Sequence, residues 1–226
     1  MAIDNLVTAQ VFGAERKPTV YFMTGYENTI AKHWLPIRML RILGHRVVAF
    51  EYEPEVLCGG DPKYLPEAVD AVVEQVNEDK LTHKVAGVYG VSLGSLFAYN
   101  VLKQPGIDKA IFNTGGVSMA KTLWTAPRLA GEKAAMIHSG FGYEDIKDAW
   151  DSYDVGPEAD GLEHKKLLVM DSVSDPVISY EDAKAHVQSW QEQGIDARIL
   201  TTHGLNHGHT IARNFFRILK TATFFG

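Results

Sequence analysis

The chain has 226 residues, 46% of them hydrophobic, enough for one sizeable core, and no low-complexity linker divides it. It carries 28 acidic against 22 basic residues, a formal charge of -6, and no Lys/Arg cluster, which argues against nucleic acid or a membrane surface as partner and for a small molecule. The start Met1-Ala2-Ile3-Asp4-Asn5-Leu6 shows no basic segment followed by an apolar stretch, no segment reaches membrane-spanning length, and Cys58 is the single cysteine, which excludes an intrachain disulfide and a cysteine-rich zinc site. The expectation is one soluble, cytoplasmic domain over residues 1–226, of open oligomeric state.

Taken in chain order, Val7 to Phe12 and Thr19 to Met23 read as an opening pair of strands with turn residues between them. Asn28 to Leu43 fits a helix closed by Gly44, Val47 to Tyr52 a strand, and Leu65 to Asn77 a second helix. Val85 to Tyr89 suits a buried strand, and Ser95 to Leu102 spaces its large apolar groups at helical intervals. Lys109 to Phe112, Lys166 to Met170 and Ala197 to Leu200 continue as strands, with helices over Glu181 to Gln193 and Thr210 to Thr221. Such alternation implies an α/β architecture, a mostly parallel sheet covered by helices. Residues 113–163 exceed what a crossover needs and read as a small helical cap insertion. Its Trp124, Phe141, Tyr143 and Trp150 would either pack the cap on the body or line an acyl or aromatic pocket.

The most informative stretch is Gly90-Val91-Ser92-Leu93-Gly94, a serine between two glycines where a strand pattern gives way to a helical one. A sharp strand-to-helix turn strains the backbone at the serine and crowds the residues two before and two after it, so only small side chains fit there. Ser92 as nucleophile needs a base and a group to orient that base. Asp175, on the turn after the strand ending near Met170 and stiffened by Pro176, is the preferred acid. Asp171, at the strand end, is the reserve, with backbone hydrogen bonding as its plain alternative. Among His203, His207 and His209, His207 is preferred because it stands in a Gly-bounded loop past the last strand and before the helix expected near Thr210. The same three histidines with an aspartate would also suit a metal, but that leaves the serine turn unexplained.

Ser92, Asp175 and His207, in that order on alternating strands and helices, resemble the α/β-hydrolase superfamily, over roughly residues 18 to 221. The resemblance implies a serine esterase or thioesterase that works through an acyl-enzyme and needs no cofactor and no metal. It also implies an oxyanion hole made by the backbone amides of Leu93 and Tyr26. Thr24 stands in Met23-Thr24-Gly25-Tyr26 where the family often has histidine, while Gly25 is retained. An acyltransferase or perhydrolase, and a ligand-binding protein on the same fold without catalysis, are the alternatives. Cys58, and the pair His33-Trp34, would border the cleft or be ordinary: a buried or loop thiol, a surface histidine and a packed indole. Glu51, Glu53 and Glu55 read as a solvated acidic group around Pro54. The substrate expected is a small ester or thioester, with the acidic net charge disfavouring highly anionic ones unless a local Lys or Arg reverses it.

Overall fold

A computed structural model describes residues 6–225. Residues 1–5, where most of the stretch read above for a leader lies, and residue 226 fall outside the described residues. The strands are β1 (Val7–Phe12), β2 (Thr19–Met23), β3 (Arg46–Tyr52), β4 (Val85–Val91), β5 (Lys109–Asn113), β6 (Lys166–Ser172) and β7 (Asp196–Thr202). They form one sheet in the order β1-β3-β2-β4-β5-β6-β7, antiparallel only where β1 meets β3. The helices are α1 (Trp34–Ile42), α2 (Glu55–Cys58), α3 (Tyr64–Asp79), α4 (Gly94–Leu102), α5 (Met119–Thr125), α6 (Ala130–His138), α7 (Tyr143–Trp150), α8 (Tyr180–Glu192) and α9 (His207–Phe225). Among the described residues no helix is long and apolar enough to cross a membrane.

The central strands are apolar runs because both their faces are covered. Along β2 and β4, Tyr21, Met23 and Val88 enter the larger core with α3, α4 and α8, whereas Val20, Phe22, Tyr89 and Val91 enter a second cluster with α1 and α9. Two-residue alternation thus feeds two cores from one sheet. α3 contributes Leu65, Val69, Val72 and Val76, the apolar stripe legible in its sequence. Gly44 closes the first helical segment with φ 93°, and the His45 amide behind it donates to the Leu40 carbonyl at 3.1 Å.

Four expectations need correction. The opening strands do not pair with each other: β1 lies antiparallel on β3 at the sheet edge. Residues 28–43 are not one helix, because a 3-10 turn over Ile30–His33 precedes α1, whose first turn holds Pro36. His33 and Trp34 exchange their expected environments. His33 is 4% exposed, packed between Phe22 and Phe215 with Nδ1 3.1 Å from the Thr29 carbonyl, while Trp34 is 59% exposed. Finally, the last helix begins at His207 rather than near Thr210.

Residues 114–165 carry α5, a 3-10 turn over Pro127–Leu129, α6 and α7 between β5 and β6. Leu123, Met136, Ile146 and Trp150 of this segment join the larger core directly. Trp150 also donates its indole N–H to the Pro62 carbonyl at 2.6 Å, and the Trp124 ring meets that of Tyr143 at 5.9 Å. Of the two readings of these aromatics, packing is therefore the one the structure bears out.

Candidate active site

β4 runs apolar into the turn at Val91, and the turn closes tightly because two side chains are missing. A Cβ on Gly90 would lie 2.5 Å from the Gly94 carbonyl oxygen, and one on Gly94 would run into the carbonyl oxygens of Met23 and Thr24. Between them Ser92 adopts φ 52°, a left-handed conformation that costs a non-glycine residue about 1 kcal/mol. The surrounding bonds hold it there: its amide donates to Asn113 O at 2.9 Å and its carbonyl accepts from the Ser95 amide at 2.8 Å. The hydroxyl is thereby presented above the carboxyl edge of the sheet at the start of α4.

Ser92 Oγ lies 2.9 Å from His207 Nε2, and His207 Nδ1 lies 2.8 Å from Asp175 Oδ2. The Asp175 side chain is fully buried and that of His207 is 9% exposed. The carboxylate is held on its other oxygen, where Oδ1 accepts from the amides of Val177 at 2.8 Å and Ile178 at 3.1 Å. A carboxylate facing Nδ1 fixes the proton on that nitrogen and leaves Nε2 as acceptor for the serine hydroxyl. His207 is placed by an N-cap: Asn206 Oδ1 accepts the His209 amide at 3.1 Å, so α9 starts at His207 and carries the ring on its first residue. Asn206 ahead of an apolar-periodic run was the available signal for that helix start.

Asp171, the reserve acid, takes a different position. Its Oδ1 accepts the Gly115 amide at 3.0 Å, while Oδ2 is buried without a hydrogen-bond partner. Burial, added to by the charge of Asp175, pushes its carboxyl well above the usual carboxylate range. His203 and His209 are exposed, and among the described residues no group of three His, Cys, Asp or Glu side chains is placed to hold a metal.

The Tyr26 loop lies against the serine: a Cβ built on Gly25 would be 3.4 Å from Ser92 Cβ. Thr24 is buried, and its amide extends the β2–β3 ladder by donating to Phe50 O at 3.1 Å. Asn28 then closes the loop, its amide donating to Gly25 O at 3.1 Å and its side chain to Tyr26 O at 2.9 Å. Among the described residues the amides of Tyr26 and Leu93 find no acceptor within the protein, and both residues face the same cavity. Cys58 is exposed at the end of α2, beside the Tyr26 phenol, which burial and then the neighbouring Cys58 and Glu132 push well above its ordinary value.

That cavity measures about 310 Å³ and is walled by Leu57, Leu96, Met119, Leu129, Ile178 and Phe215, with Ser92 and His207 exposed to it. Trp124, Phe141, Tyr143 and Trp150 are not among its lining residues; His33, Ser95, Lys32 and Arg128 are. Nothing in sequence distinguishes Met119 or Leu129 from ordinary core residues, since a pocket wall and a helix face share one composition.

No known family model matches the chain, and no curated protein does. Solved structures do. An esterase from Pyrobaculum calidifontis superposes with a TM-score of 0.62 at 18% identity, over 96% of this chain and 80% of that one. A monoacylglycerol lipase from Paleococcus ferrophilus gives 0.63 at 13% identity, over 97% and 99%. An acylaminoacyl peptidase from Pyrococcus horikoshii gives 0.70 at 12% identity, over 92% of this chain but only 37% of that one. At these identities the likeness concerns the path of the backbone alone. Strand order, connections and these superpositions agree: the chain has the α/β-hydrolase fold.

Proposed function

We propose that this protein is a serine hydrolase that cleaves carboxylic esters or thioesters through an acyl-enzyme on Ser92. The observation that carries the reading is the continuous chain from the buried Asp175 carboxylate through His207 to Ser92 Oγ, at 2.8 and 2.9 Å, opening into an apolar-walled cavity. As Oγ attacks the substrate carbonyl, His207 Nε2 takes its proton, and Asp175 stabilises the imidazolium that results. The Tyr26 and Leu93 amides hold the oxyanion, a pair of donors each worth about 3 kcal/mol of barrier lowering. His207 returns the proton to the leaving alcohol or thiol, then activates water to release the acid. No bound cofactor enters these steps.

Thr24 in place of histidine does not remove a donor, because the Tyr26 amide is supplied by backbone and Asn28 shapes the loop that carries it. The fold neighbours named as esterase and lipase act on bonds of this class, which supports the reading.

The test is a fluorophosphonate followed by intact-mass spectrometry, with nitrophenyl esters of increasing chain length. A single adduct and ester turnover, both lost in Ser92→Ala while the folded state persists, are the expected results. Adduct formation in Ser92→Ala would assign the nucleophile elsewhere. Labelling combined with release of esters or amides when alcohol or amine acceptors are added would identify an acyltransferase instead.

A further inference from the structure

The charged side chains that line the Ser92 cavity run against the charge of the chain. The protein carries 28 acidic and 22 basic residues, yet the lining holds Lys32 and Arg128 and no aspartate or glutamate. Arg128 lies in the 3-10 turn before α6 and forms no ion pair or hydrogen bond among the described residues. Lys32 is on the 3-10 turn before α1 and donates to the Glu27 carbonyl at 3.1 Å, a neutral acceptor that leaves its charge uncompensated. Glu132, one turn beyond Arg128, is outside the lining and interacts with the Tyr26 phenol. Deeper in the cavity Ser95 Oγ, on a residue 1% exposed, has no hydrogen-bond partner.

An apolar-walled cavity whose lining includes two exposed, uncompensated cations suits a substrate with an apolar body and an anionic end. A neutral acyl chain would fill the walls and leave both cations to water. Both cations are exposed, so a carboxylate held by the lining would meet them as charge-assisted hydrogen bonds that salt weakens. Resting on the hydrolase reading, we propose that the substrates are esters whose acyl part carries a free carboxylate, monoesters of dicarboxylic acids, with Arg128 as the principal carboxylate-binding residue and Lys32 as the second. Arg128 and Lys32 are specificity-determining rather than catalytic: they set which acyl group is held, not the attack on it.

Two measurements test this. The first compares hydrolysis of the mono-4-nitrophenyl ester of adipic acid with that of 4-nitrophenyl hexanoate, which matches it in chain length and lacks the carboxylate. The wild type is expected to favour the adipate in kcat/KM by roughly fivefold, through KM, and that ratio should fall toward unity in Arg128→Gln and in 0.5 M salt, about the screening expected for exposed charges. The second needs no turnover. In the Ser92→Ala protein, calorimetry should show monomethyl adipate binding more tightly than dimethyl adipate, and Arg128→Gln in that background should erase the difference.

Equal binding of the two adipates, or a wild-type preference for the hexanoate that Arg128→Gln leaves in place, overturns the proposal. Absence of ester turnover in the wild type, with the carboxylate preference still seen in calorimetry, would overturn the hydrolase reading and leave the anion site standing.

Discussion

Asp171 and Asp175 flank the same strand end and meet different surroundings. Asp175 has both oxygens engaged, one by His207 and one by two backbone amides. Asp171 has one oxygen on the Gly115 amide and the other buried without a partner, and burial together with the nearby Asp175 charge raises its carboxyl. The raised value means that the folded state holds a proton the unfolded chain releases. Its contribution to stability is therefore complete below the unfolded value near 3.8 and is lost as pH rises through the higher folded one. Asp171→Asn keeps an acceptor for Gly115 and removes the ionisation, so it should raise Tm at pH 7 to 8, with the gain vanishing near pH 4; thermal melts across that range check it. Asp175→Asn should leave the fold intact and reduce kcat by roughly 10³ to 10⁴-fold, because an amide no longer fixes the proton on His207 Nδ1. The two variants together separate a buried acid that burdens the fold from one that orients a ring.

At the scale of elements, α9 both packs the second core and delivers His207. Its anchor is polar: Asn214, fully buried, donates to Asn113 Oδ1 at 2.9 Å and to Met170 O at 3.0 Å, tying the helix to β5 and β6, while Asn113 in turn donates to the Tyr89 hydroxyl at 3.1 Å. Asn214→Ala should cost about 2 kcal/mol, since it leaves Asn113 Oδ1 unpaired in the interior and Met170 O with only the Thr114 amide, and should lower kcat more than it raises KM by loosening the His207 ring. Chemical denaturation and steady-state kinetics on one preparation read both effects. Elements such as α3, α8 and β2 were legible because apolar periodicity is a property of the chain itself. The pairing of β1 with β3 was not, because a turn-bounded pair of strands does not specify which neighbour each will take. His33 and Trp34 traded places for a similar reason: a 3-10 turn has three residues per turn, so it shifts the inward face relative to the helix expected there. The Ser92, Asp175 and His207 positions were readable from turn chemistry and order, whereas the cavity walls were not, because their residues look like core.

Across the whole molecule, the ion pair farthest in kind from the site stabilises the far side of the sheet. Arg46 on β3 holds Asp79 at the end of α3 through two bonds of 2.7 and 2.8 Å, with the Tyr21 hydroxyl adding a third at 3.0 Å. Burial alone would raise the Asp79 carboxyl, but Arg46 and Tyr21 hold it below its ordinary value. Its contribution is present above the unfolded value near 3.8 and is lost as pH falls through the folded one, the opposite sign to Asp171. Asp79→Asn should therefore weaken the protein at neutral pH and flatten the acid limb of its stability curve, while phosphonate labelling of folded protein at Ser92 continues. Because α5 to α7 share the larger core with α3 and α4, calorimetry should record one cooperative transition, and deletion of residues 119–150 should prevent folding rather than uncover a freely accessible site. Two transitions would make that segment an independent unit.

His207 is the first residue of the last described helix, 115 positions beyond the serine it touches, with Asp175 made between them. On the ribosome the hydroxyl therefore emerges long before the histidine it contacts. With Ser92 as the nucleophile proposed above, the residue would remain an ordinary alcohol on an unfinished sheet until β7 has paired and α9 has docked, so a nascent or truncated chain would carry no self-acylating or hydrolytic hazard. On that proposal reactivity would arrive only with completion, and labelling by a fluorophosphonate would report the finished fold.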